Sequence, residues 1–542
     1  MQALGSRPGT FAMGAIGTVA AIAACLTFGA RAEAASAEAS KSPTDCAQLQ
    51  RLALPATRIV STAHVAEGEA RAGKQRLPSH CVLSGVFGER TGVDGARYAT
   101  HFELRLPDAW NGRFQFMGGG GTDGSVKPAY GFDRNGSKPA LADGYAVVSS
   151  DFGHQASDPR DASFGLDPEA RIDWGYRAIE AVTTRAKSVI GTYYGRAPSR
   201  SYFAGCSGGG RQALVASQRF ADAFDGIVAG APILEQHVAQ IGSMQILQAF
   251  TAIAPRDDAG RPILSRAFSD ADLSLLATDV AKRCDGLDGL VDGIVDDYRA
   301  CRYSPRALQC EGEKTASCLA APQVQALTSV LAGPTDSRGK RLYEPYPIDI
   351  AVGQWRGAML GTSNTPTPNA RRATNTSIRF VFMTPPAPDF DYLAFDFDRD
   401  PPRLAASAPV TASNGTDYTG FKARGAKAIV YMGIGDALLN ANGTLRWYER
   451  LAEANGGLAA TQAFARYFHV PGMGHCGGGP SLDQFDPFGA LVAWVENGQA
   501  PDALMASGRA FPGRTRPLCA YPKQTRHVGA GSIDDAANFR CE

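Results

Sequence analysis

The chain has 542 residues, which is long enough for a large catalytic domain with an insertion or for two to three domains. Apolar residues make up 44% and charged residues 20% of the sequence, as in ordinary soluble globular proteins. The 54 Lys and Arg residues balance the 53 Asp and Glu residues, so charge gives no reason to expect nucleic acid or a membrane surface as a partner.

The N-terminus has the pattern of an export signal. Arg7 supplies a positive charge, an apolar stretch spans residues 11–29, and small residues at 30–34 fit a cleavage site. Gly and Thr residues interrupt the stretch, which argues against a membrane span. Residues 22–25 also resemble a lipobox, so an outer-membrane lipoprotein acylated at Cys25 is the alternative to a secreted or periplasmic protein.

The 11 cysteines support export. An even number remains when Cys25 is assigned to the signal, and an even number in an exported chain indicates disulfides. Position along the chain favours four bridges: Cys46 with Cys81, Cys284 with Cys301, Cys310 with Cys318, and Cys519 with Cys541. The alternative is that some of these cysteines are free, buried thiols.

Strand and helix patterns alternate along the first half of the chain. Strand patterns occur over residues 98–106, 113–117, 145–149, 201–204 and 227–229. Helical periodicity occurs over residues 172–194 and 211–219. This alternation predicts a mostly parallel α/β sheet.

The alternation breaks over residues 234–414, where Pro, Asn, Thr and Arg are abundant. It resumes with strand patterns over 428–432 and 465–470 and helical patterns over 445–454 and 488–495. We therefore predict a signal peptide at residues 1–34 and one catalytic domain formed by residues 35–233 and 415–542. Residues 234–414 are predicted to be an insertion in that domain.

A Gly-rich turn, Gly205-Cys206-Ser207-Gly208-Gly209, lies between a predicted strand and a predicted helix. Small neighbours let such a turn hold a serine in a strained conformation with its hydroxyl exposed. We predict that Ser207 is a catalytic nucleophile. The alternative is a Gly-rich turn with a structural role.

A serine hydroxyl needs a base to take its proton, and a carboxylate usually orients that base. In enzymes with this turn, the acid and then the histidine follow the serine along the chain. Asp436 and His475 come just past predicted strands, where open α/β sheets place their sites, and are the predicted acid and base. His469 is the rival base inside a strand pattern, and Asp417 and Asp483 are rival acids with poorer strand context.

Two cysteines flank the predicted nucleophile and base, because Cys206 precedes Ser207 and Cys476 follows His475. A working Ser–His pair requires about 3 Å between hydroxyl and imidazole. That distance forces the neighbouring Cα atoms towards the roughly 4.4–6.8 Å range of a disulfide. We predict a bridge between Cys206 and Cys476, and the alternative is coincidence.

The tetrahedral intermediate of acyl transfer needs N–H donors for its oxyanion. One donor is normally the residue after the nucleophile, here Gly208, and the other lies in the loop after an earlier strand. Residues 118–121 are four glycines that follow the predicted strand 113–117. We predict Gly121 as the second donor, ahead of Gly120.

An acidic segment punctuated by glycine carries Asp285, Asp288, Asp292 and Asp296. Calcium prefers several oxygen ligands, including carboxylates and backbone carbonyls. The spacing differs from that of an EF-hand loop, so the residues alone leave a calcium site and a solvated acidic turn equally open. The segment is far from the predicted triad in sequence, so its expected role is structural.

These motifs together resemble the tannase/feruloyl esterase family. The shared features are Cys206-Ser207-x-Gly-Gly, Asp436, His475-Cys476, residues 118–121, the 284–301 segment and the C-terminal run 516–522. The resemblance extends over residues 46–541. It implies an α/β-hydrolase fold with a large lid domain, here residues 234–414, inserted in the catalytic domain. It also implies an exported serine esterase that hydrolyses carboxylic esters of small aromatic acids through an acyl-enzyme.

The resemblance also implies a structural Ca²⁺ in the acidic segment. The matching ligands are the side chains of Asp285, Asp288 and Asp292 and the carbonyls of Leu290 and Ile294. The disulfide pairing of the family matches the five bridges named above.

Lid residues 355–382 are expected to shape the acyl pocket, and Arg371 or Arg372 is expected to meet a substrate carboxylate. Ala358, Ala373 and Leu439 stand where aromatic residues would be expected for a terephthaloyl group. The substrate class therefore stays broad: feruloyl, galloyl or terephthaloyl esters. A hydrolase restricted to a terephthalate monoester is the narrower alternative.

Two further functions remain open from the sequence. A non-catalytic, calcium-dependent binding protein on a hydrolase scaffold is disfavoured by the complete set of Ser207, Asp436 and His475. A serine peptidase would use the same three residues, and no feature of the sequence favours amides over esters. The sequence does not specify an oligomeric state.

Overall fold

The computed structural model of the protein describes residues 45–158, 160–362 and 376–542. The predicted signal peptide with Cys25, and the predicted substrate contacts Arg371 and Arg372, lie outside the described residues. In the described part of the chain, no helix combines the length and the apolar character needed to cross a membrane.

The strands of the described chain follow the predicted pattern and add to it. Their bounds are β1 Thr57–Val65, β2 Arg71–Ala72, β3 Gln75–Arg76, β4 His80–Thr91, β5 Arg97–Pro107, β6 Arg113–Met117, β7 Ala146–Ser150, β8 Arg200–Cys206, β9 Gly226–Gly230, β10 Lys427–Gly433, β11 Ala465–Val470, β12 Ala503–Ser507, β13 Thr515–Cys519, β14 Thr525–His527 and β15 Phe539–Cys541.

The helices lie between and around these strands. Their bounds are α1 Pro168–Ile172, α2 Ala178–Tyr194, α3 Gly208–Arg219, α4 Gln236–Ile253, α5 Asp270–Cys284, α6 Ala321–Ala332, α7 Pro401–Ala405, α8 Ala408–Thr411, α9 Thr419–Ala423, α10 Ala441–Ala454, α11 Leu458–Gln462 and α12 Pro487–Asn497. A π-helical turn, Asp173–Arg177, joins α1 to α2 where the sequence predicts one helix.

Nine strands form one mixed sheet in the order β1-β4-β5-β7-β6-β8-β9-β10-β11. The six strands from β7 to β11 in this order run parallel, while β1, β4 and β5 pair antiparallel at one side. The predicted α/β class is therefore confirmed, with an antiparallel flank in which β1 and β4 were not predicted.

The central strands are buried on both faces, as parallel strands covered by helices are. Side chains alternate between the faces of a strand, so Phe203 of β8 joins the core that contains α2 and α3. Its neighbours Tyr202 and Ala204 join the core that contains α12. The sheet is thus sandwiched between two helical layers, with its carboxyl edge free to carry loops.

The predicted insertion falls between β9 and β10 and is helical in its described part. Helices α4, α5 and α6 contribute apolar residues such as Phe250, Leu276 and Leu327 to a core of their own. Helix α5 begins with a capping box, in which the Ser269 side chain and the Asp272 side chain each accept the other's backbone N–H. The exact domain boundaries remain a prediction.

Five disulfides join the ten described cysteines. The bridged pairs are Cys46 with Cys81, Cys206 with Cys476, Cys284 with Cys301, Cys310 with Cys318, and Cys519 with Cys541. These are the five pairs expected from the sequence and from the family resemblance.

Candidate active site

Ser207 lies in a sharp turn between β8 and α3. Its backbone has φ 62° and ψ −122°, a region that residues with a side chain rarely occupy. The turn closes tightly, because a Cβ on Gly205 would lie 2.6 Å from the carbonyl carbon of Gly209. Such strain, held by close packing, projects the Ser207 hydroxyl away from the sheet.

The structure brings Ser207, His475 and Asp436 together from the carboxyl ends of β8, β11 and β10. His475 Nε2 lies 2.9 Å from Ser207 Oγ, and His475 Nδ1 lies 2.7 Å from Asp436 Oδ2. The other carboxylate oxygen of Asp436 accepts the backbone N–H groups of Leu438 and Leu439. Asp436 is therefore fixed on both sides, and it orients the imidazole towards the serine.

The surroundings of the His475 imidazole raise its pKa. Burial lowers its pKa, but the charge of Asp436 and the hydrogen bond to it outweigh burial, so the pKa lies above its ordinary value of 6.5. The charge of Arg134, an exposed side chain at the same cavity, acts in the lowering direction. A base of this kind holds the serine proton more strongly than a free imidazole does.

The rival residues have other partners. His469 lies partly buried in β11 beside Tyr298 and Tyr467, and desolvation lowers its pKa to about 3. Asp417 accepts the backbone N–H of Thr419 at the start of α9. Asp483 accepts the N–H of Gly478 and so stabilises the loop that follows His475.

The disulfide between Cys206 and Cys476 joins the loops that carry Ser207 and His475, with the Cα atoms 6.1 Å apart. Cys476 has φ 62°, so the residue after the base is also held in the left-handed region. The bridge limits how far Ser207 and His475 can separate, although the two residues are 268 positions apart in sequence.

The glycine loop 118–121 lies directly against the start of α3. A Cβ on Gly208 would lie 3.0 Å from the carbonyl oxygen of Gly121 and 3.3 Å from Cα of Gly120. Gly208 is the first residue of α3, so its N–H has no partner within the helix. The structure thus brings both predicted oxyanion donors to one place beside Ser207.

A cavity of about 620 Å³ opens beside the triad. Ser207 and His475 line it together with the glycine loop. Ile233, Leu438 and Leu439 form an apolar wall that suits an aromatic ring. Ala358, by contrast, is packed into the core of the insertion.

Helix α4 lines the same cavity with polar side chains, in contrast to the apolar wall. These side chains belong to Gln236, Gln240 and Ser243. These residues are spaced by four and three positions and so share one helix face. Each is more than 90% buried. The Oε1 atoms of both glutamines make no hydrogen bond within the described part of the chain. Sequence reasoning missed this polar wall; the recurrence of polar residues at helical spacing in an apolar helix was its signal.

The acidic segment forms a 3-10 turn, Asp285–Asp288, followed by a loop. The Asp285 carboxylate accepts the N–H groups of Asp292 and Gly293, and Asp288 accepts the N–H of Leu290. Asp292 accepts the N–H of Ile294, and its other oxygen lies 2.6 Å from Arg516 Nη1. The segment is therefore an ordered loop, and sequence alone could not show its contact with Arg516.

The acidic side chains of this loop disfavour one another's charge. Burial, followed by the charges of Asp292 and Asp285, raises the pKa of Asp288 to about 6. Burial also raises the pKa of Asp296 to about 7. Across the three described ranges, no group of three or more His, Cys, Asp or Glu side chains converges in metal-binding geometry.

Comparison with known proteins identifies the family to which the chain is similar. A family model described as tannase and feruloyl esterase matches residues 84–542. The mono(2-hydroxyethyl) terephthalate hydrolase of Piscinibacter sakaiensis is 43% identical over 524 residues, which cover 87% of this chain and 86% of that protein.

Two solved structures show the same fold. Feruloyl esterase B from Aspergillus oryzae aligns with a TM-score of 0.77 and 24% identity, over 92% of this chain and 99% of that one. Tannin acyl hydrolase from Aspergillus niger aligns with a TM-score of 0.70 and 19% identity, over 93% and 96%. With the sheet, the inserted helices and the triad in place, the chain belongs to the tannase and feruloyl esterase family and is a carboxylic ester hydrolase of the α/β-hydrolase fold.

Proposed function

We propose that the protein is an exported serine esterase that hydrolyses carboxylic esters of small aromatic acids through an acyl-enzyme. The observation that carries the proposal is the Ser207–His475–Asp436 hydrogen-bond chain at a 620 Å³ cavity with one apolar wall.

Acylation begins when His475 Nε2 takes the proton of Ser207 Oγ, which attacks the ester carbonyl carbon. The carbonyl oxygen gains negative charge and is stabilised by the N–H groups of Gly208 and Gly121. The positive end of the α3 dipole adds to this stabilisation. The imidazolium, paired with Asp436, then gives its proton to the alcohol, which leaves.

Deacylation repeats these steps with water. His475 takes a proton from the water as it attacks the acyl-enzyme, and returns that proton to Ser207 Oγ when the aromatic acid leaves. The same two N–H donors stabilise the second tetrahedral intermediate. Asp436 keeps the imidazole in one orientation throughout, so both half-reactions use one geometry.

The cavity supports an aromatic acyl group that carries polar substituents. The ring would lie against Ile233, Leu438 and Leu439, and its substituents would face Gln236 and Gln240. The similar proteins reported above are a terephthalate monoester hydrolase, a feruloyl esterase and a tannin acyl hydrolase. A strict mono(2-hydroxyethyl) terephthalate hydrolase is the narrower candidate, favoured by the 43% identity to that enzyme.

An ester panel with product detection tests the proposal. The hydrolysis rate of the purified enzyme is measured on the terephthalate monoester, on methyl ferulate and on methyl gallate, by quantifying the released acid. Activity on several aromatic esters supports the broad proposal, and activity confined to the terephthalate monoester supports the narrow candidate. Labelling of Ser207 by a fluorophosphonate, lost in Ser207→Ala, separates both from a non-catalytic binding protein. An anilide of the preferred acid tests for peptidase activity.

We also propose a structural Ca²⁺ at the acidic loop, held by Asp285, Asp288, Asp292 and the carbonyls of Leu290 and Ile294. The donor set consists of oxygen atoms, which suits calcium. One oxygen of the buried Asp292 carboxylate makes no hydrogen bond in the described structure, although Arg516 lies close to it. Metal analysis of the purified protein, and thermal unfolding with added Ca²⁺ or a chelator, test this site. Absence of bound metal together with an unchanged Tm would contradict it.

Export is supported by the five disulfides, which form and persist in oxidising compartments. Cell fractionation with N-terminal sequencing of the mature protein tests it. A mature N-terminus within residues 30–35 supports cleavage by a signal peptidase. A chain that remains in the cytoplasm with residue 1 intact would contradict export.

A further inference from the structure

A second hydrogen-bond chain joins the glycine loop 118–121 to helix α3. The N–H of Gly119 donates to Gln212 Oε1 at 2.9 Å. The Nε2 group of Gln212 in turn donates to both carboxylate oxygens of Asp123, at 3.0 and 3.1 Å. Gln212 is fully buried and Asp123 is 5% exposed, so water does not compete for these bonds.

The two side chains connect the elements that carry the oxyanion donors. Gln212 lies on α3, the helix whose first residue is Gly208. Asp123 lies just beyond the glycine loop, and its own N–H donates to the carbonyl of Gly120. The loop is therefore tied at Gly119 to the helix that also holds the other donor.

The carboxylate of Asp123 determines which way the Gln212 amide points. An ionised carboxylate only accepts hydrogen bonds, so it faces the amide nitrogen and leaves the amide oxygen towards Gly119. Burial raises the pKa of Asp123 to about 7, while the Gln212 hydrogen bonds and the charge of the buried Arg211 act in the opposite direction.

The loop has no room for a side chain at this contact. A Cβ on Gly119 would lie 2.0 Å from Asp123 Oδ2, so the carboxylate packs directly on the loop backbone. Gly118 is fixed as well, because its N–H donates to the carbonyl of Ala204 at the end of β8. Gly121 follows these anchored residues with φ 61°, the conformation that turns the chain beside Gly208.

We propose that Gln212 and Asp123 are positioning residues for the oxyanion hole: their hydrogen-bond chain to the Gly119 N–H holds the glycine loop so that Gly121 faces the reacting carbonyl. Neither side chain needs to contact the substrate carbonyl. The proposal rests on the serine esterase chemistry proposed above, and it makes the rate of the chemical step depend in part on two residues outside the triad.

Reversing the polarity of the pair gives the sharpest test. Gln212→Glu keeps an acceptor for Gly119 but places two carboxylates face to face. In the double variant Asp123→Asn with Gln212→Glu, the new amide donates to the new carboxylate, which still accepts from Gly119. Asp123→Asn alone keeps an acceptor for Gln212. The four proteins are assayed at pH 8.5 on one aromatic ester, with kcat, KM and Tm measured for each.

We expect Gln212→Glu to lower kcat by about 10- to 100-fold, a part of what the loss of one oxyanion donor costs. KM changes by less than about threefold, because the loop acts on the transition state. Asp123→Asn should change kcat only slightly. The double variant should recover kcat to within about threefold of the value for Asp123→Asn. Where Gln212→Glu yields no folded protein, Gln212→Leu takes its place in the kcat comparison.

Gln218→Leu is the matched control, since Gln218 lies on the same helix and bonds the carbonyl of Ser413, remote from the glycine loop. It should lower Tm without lowering kcat. An unchanged kcat in Gln212→Glu, or in Gln212→Leu where that variant replaces it, would overturn the inference. A double variant no faster than Gln212→Glu would overturn it as well. Absence of ester hydrolysis by the unmodified enzyme would instead overturn the proposed function, so the two failures are distinguishable.

Discussion

The two regions that enclose the cavity differ in whether their polar groups have hydrogen-bond partners. At the carboxyl edge of the sheet, Ser207, His475 and Asp436 each have hydrogen-bond partners at 2.7–3.0 Å. On the insertion side, Gln236 and Gln240 are buried with amide oxygens that lack a partner in the described structure.

A buried polar group without a partner costs about 1–3 kcal/mol, so such groups are rare unless a ligand or water completes them. The sheet edge is therefore complete before substrate arrives, while the insertion face is completed by what binds. Changes at the sheet edge should lower the rate on every ester, and changes at the insertion face should alter which ester is preferred. The following predictions test that division.

The largest effect is expected for Ser207→Ala. Removal of the nucleophile should lower kcat on the order of 10⁶-fold, equally for every ester in a panel. Tm should fall little, since the side chain is not part of the core. Hydrolysis rates on three aromatic esters measure the effect. A residual activity above about 1% of the starting rate, or a loss confined to one ester, would mean that another group is the nucleophile.

The next effect concerns the bridge between the catalytic loops. Cys206→Ala combined with Cys476→Ala should lower kcat by about 10²-fold, because a misplacement on the order of 1 Å has that effect. Mild reduction should likewise lower activity before the protein unfolds. Circular dichroism and activity are followed together during reduction.

The matched control for that variant is Cys310→Ala with Cys318→Ala, which removes a bridge of sequence separation 8 within the insertion. It should leave kcat unchanged at temperatures where the protein is folded. Equal losses in both double variants would show that the bridges act through stability alone.

The third prediction concerns pH. His475 must be neutral to accept the Ser207 proton, so kcat/KM should rise with pH and level off above the histidine pKa. That pKa lies above 6.5, because Asp436 outweighs the effect of burial. Below it the rate should fall about tenfold per pH unit. Asp436→Asn should remove the stabilisation of the imidazolium and so lower the pKa of His475. A midpoint well below 6.5 in the unmodified enzyme would contradict the assignment of His475 as the base.

The smallest effect is expected on the insertion face. Gln240→Leu should reduce the preference for hydroxylated over unsubstituted benzoate esters by about three- to tenfold, the value of one lost hydrogen bond. Activity on the unsubstituted ester should be retained. Gln245→Leu is the control, because Gln245 lies on the same helix but bonds the carbonyl of Ser329. An equal loss of activity on both esters would contradict the division of roles between the carboxyl edge of the sheet and the insertion face.

The sequence predicted well that Ser207, His475 and Asp436 lie together, because the signals for their positions are local. Ser207, Asp436 and His475 each follow an apolar strand pattern, and the strands bring their ends together once the sheet is parallel. The bridge between Cys206 and Cys476 then follows from adjacency to two of these residues.

The rest depends on contacts that leave no local pattern. Gln212 and Asp123 are 89 positions apart, and a single polar residue in a helix gives no sign of such a partner. Strands β1 and β4 were missed because they lie on the antiparallel flank, where partly exposed residues blur the alternation. The helices α4, α5 and α6 of the insertion were missed although they hold almost no Pro, Asn or Arg, because the abundance of these residues elsewhere in 234–414 dominates the composition of the whole segment.

The disulfide between Cys206 and Cys476 has a topological consequence. Residues 206–476 form a covalent ring, and the insertion lies within that ring. A protease that cuts the insertion once opens the ring without detaching the nucleophile from the base. During evolution, segments of this region can be exchanged or lengthened while the two reacting side chains stay joined. A fold arranged in this way can change its substrate by altering the enclosed segment and keep its reaction chemistry intact.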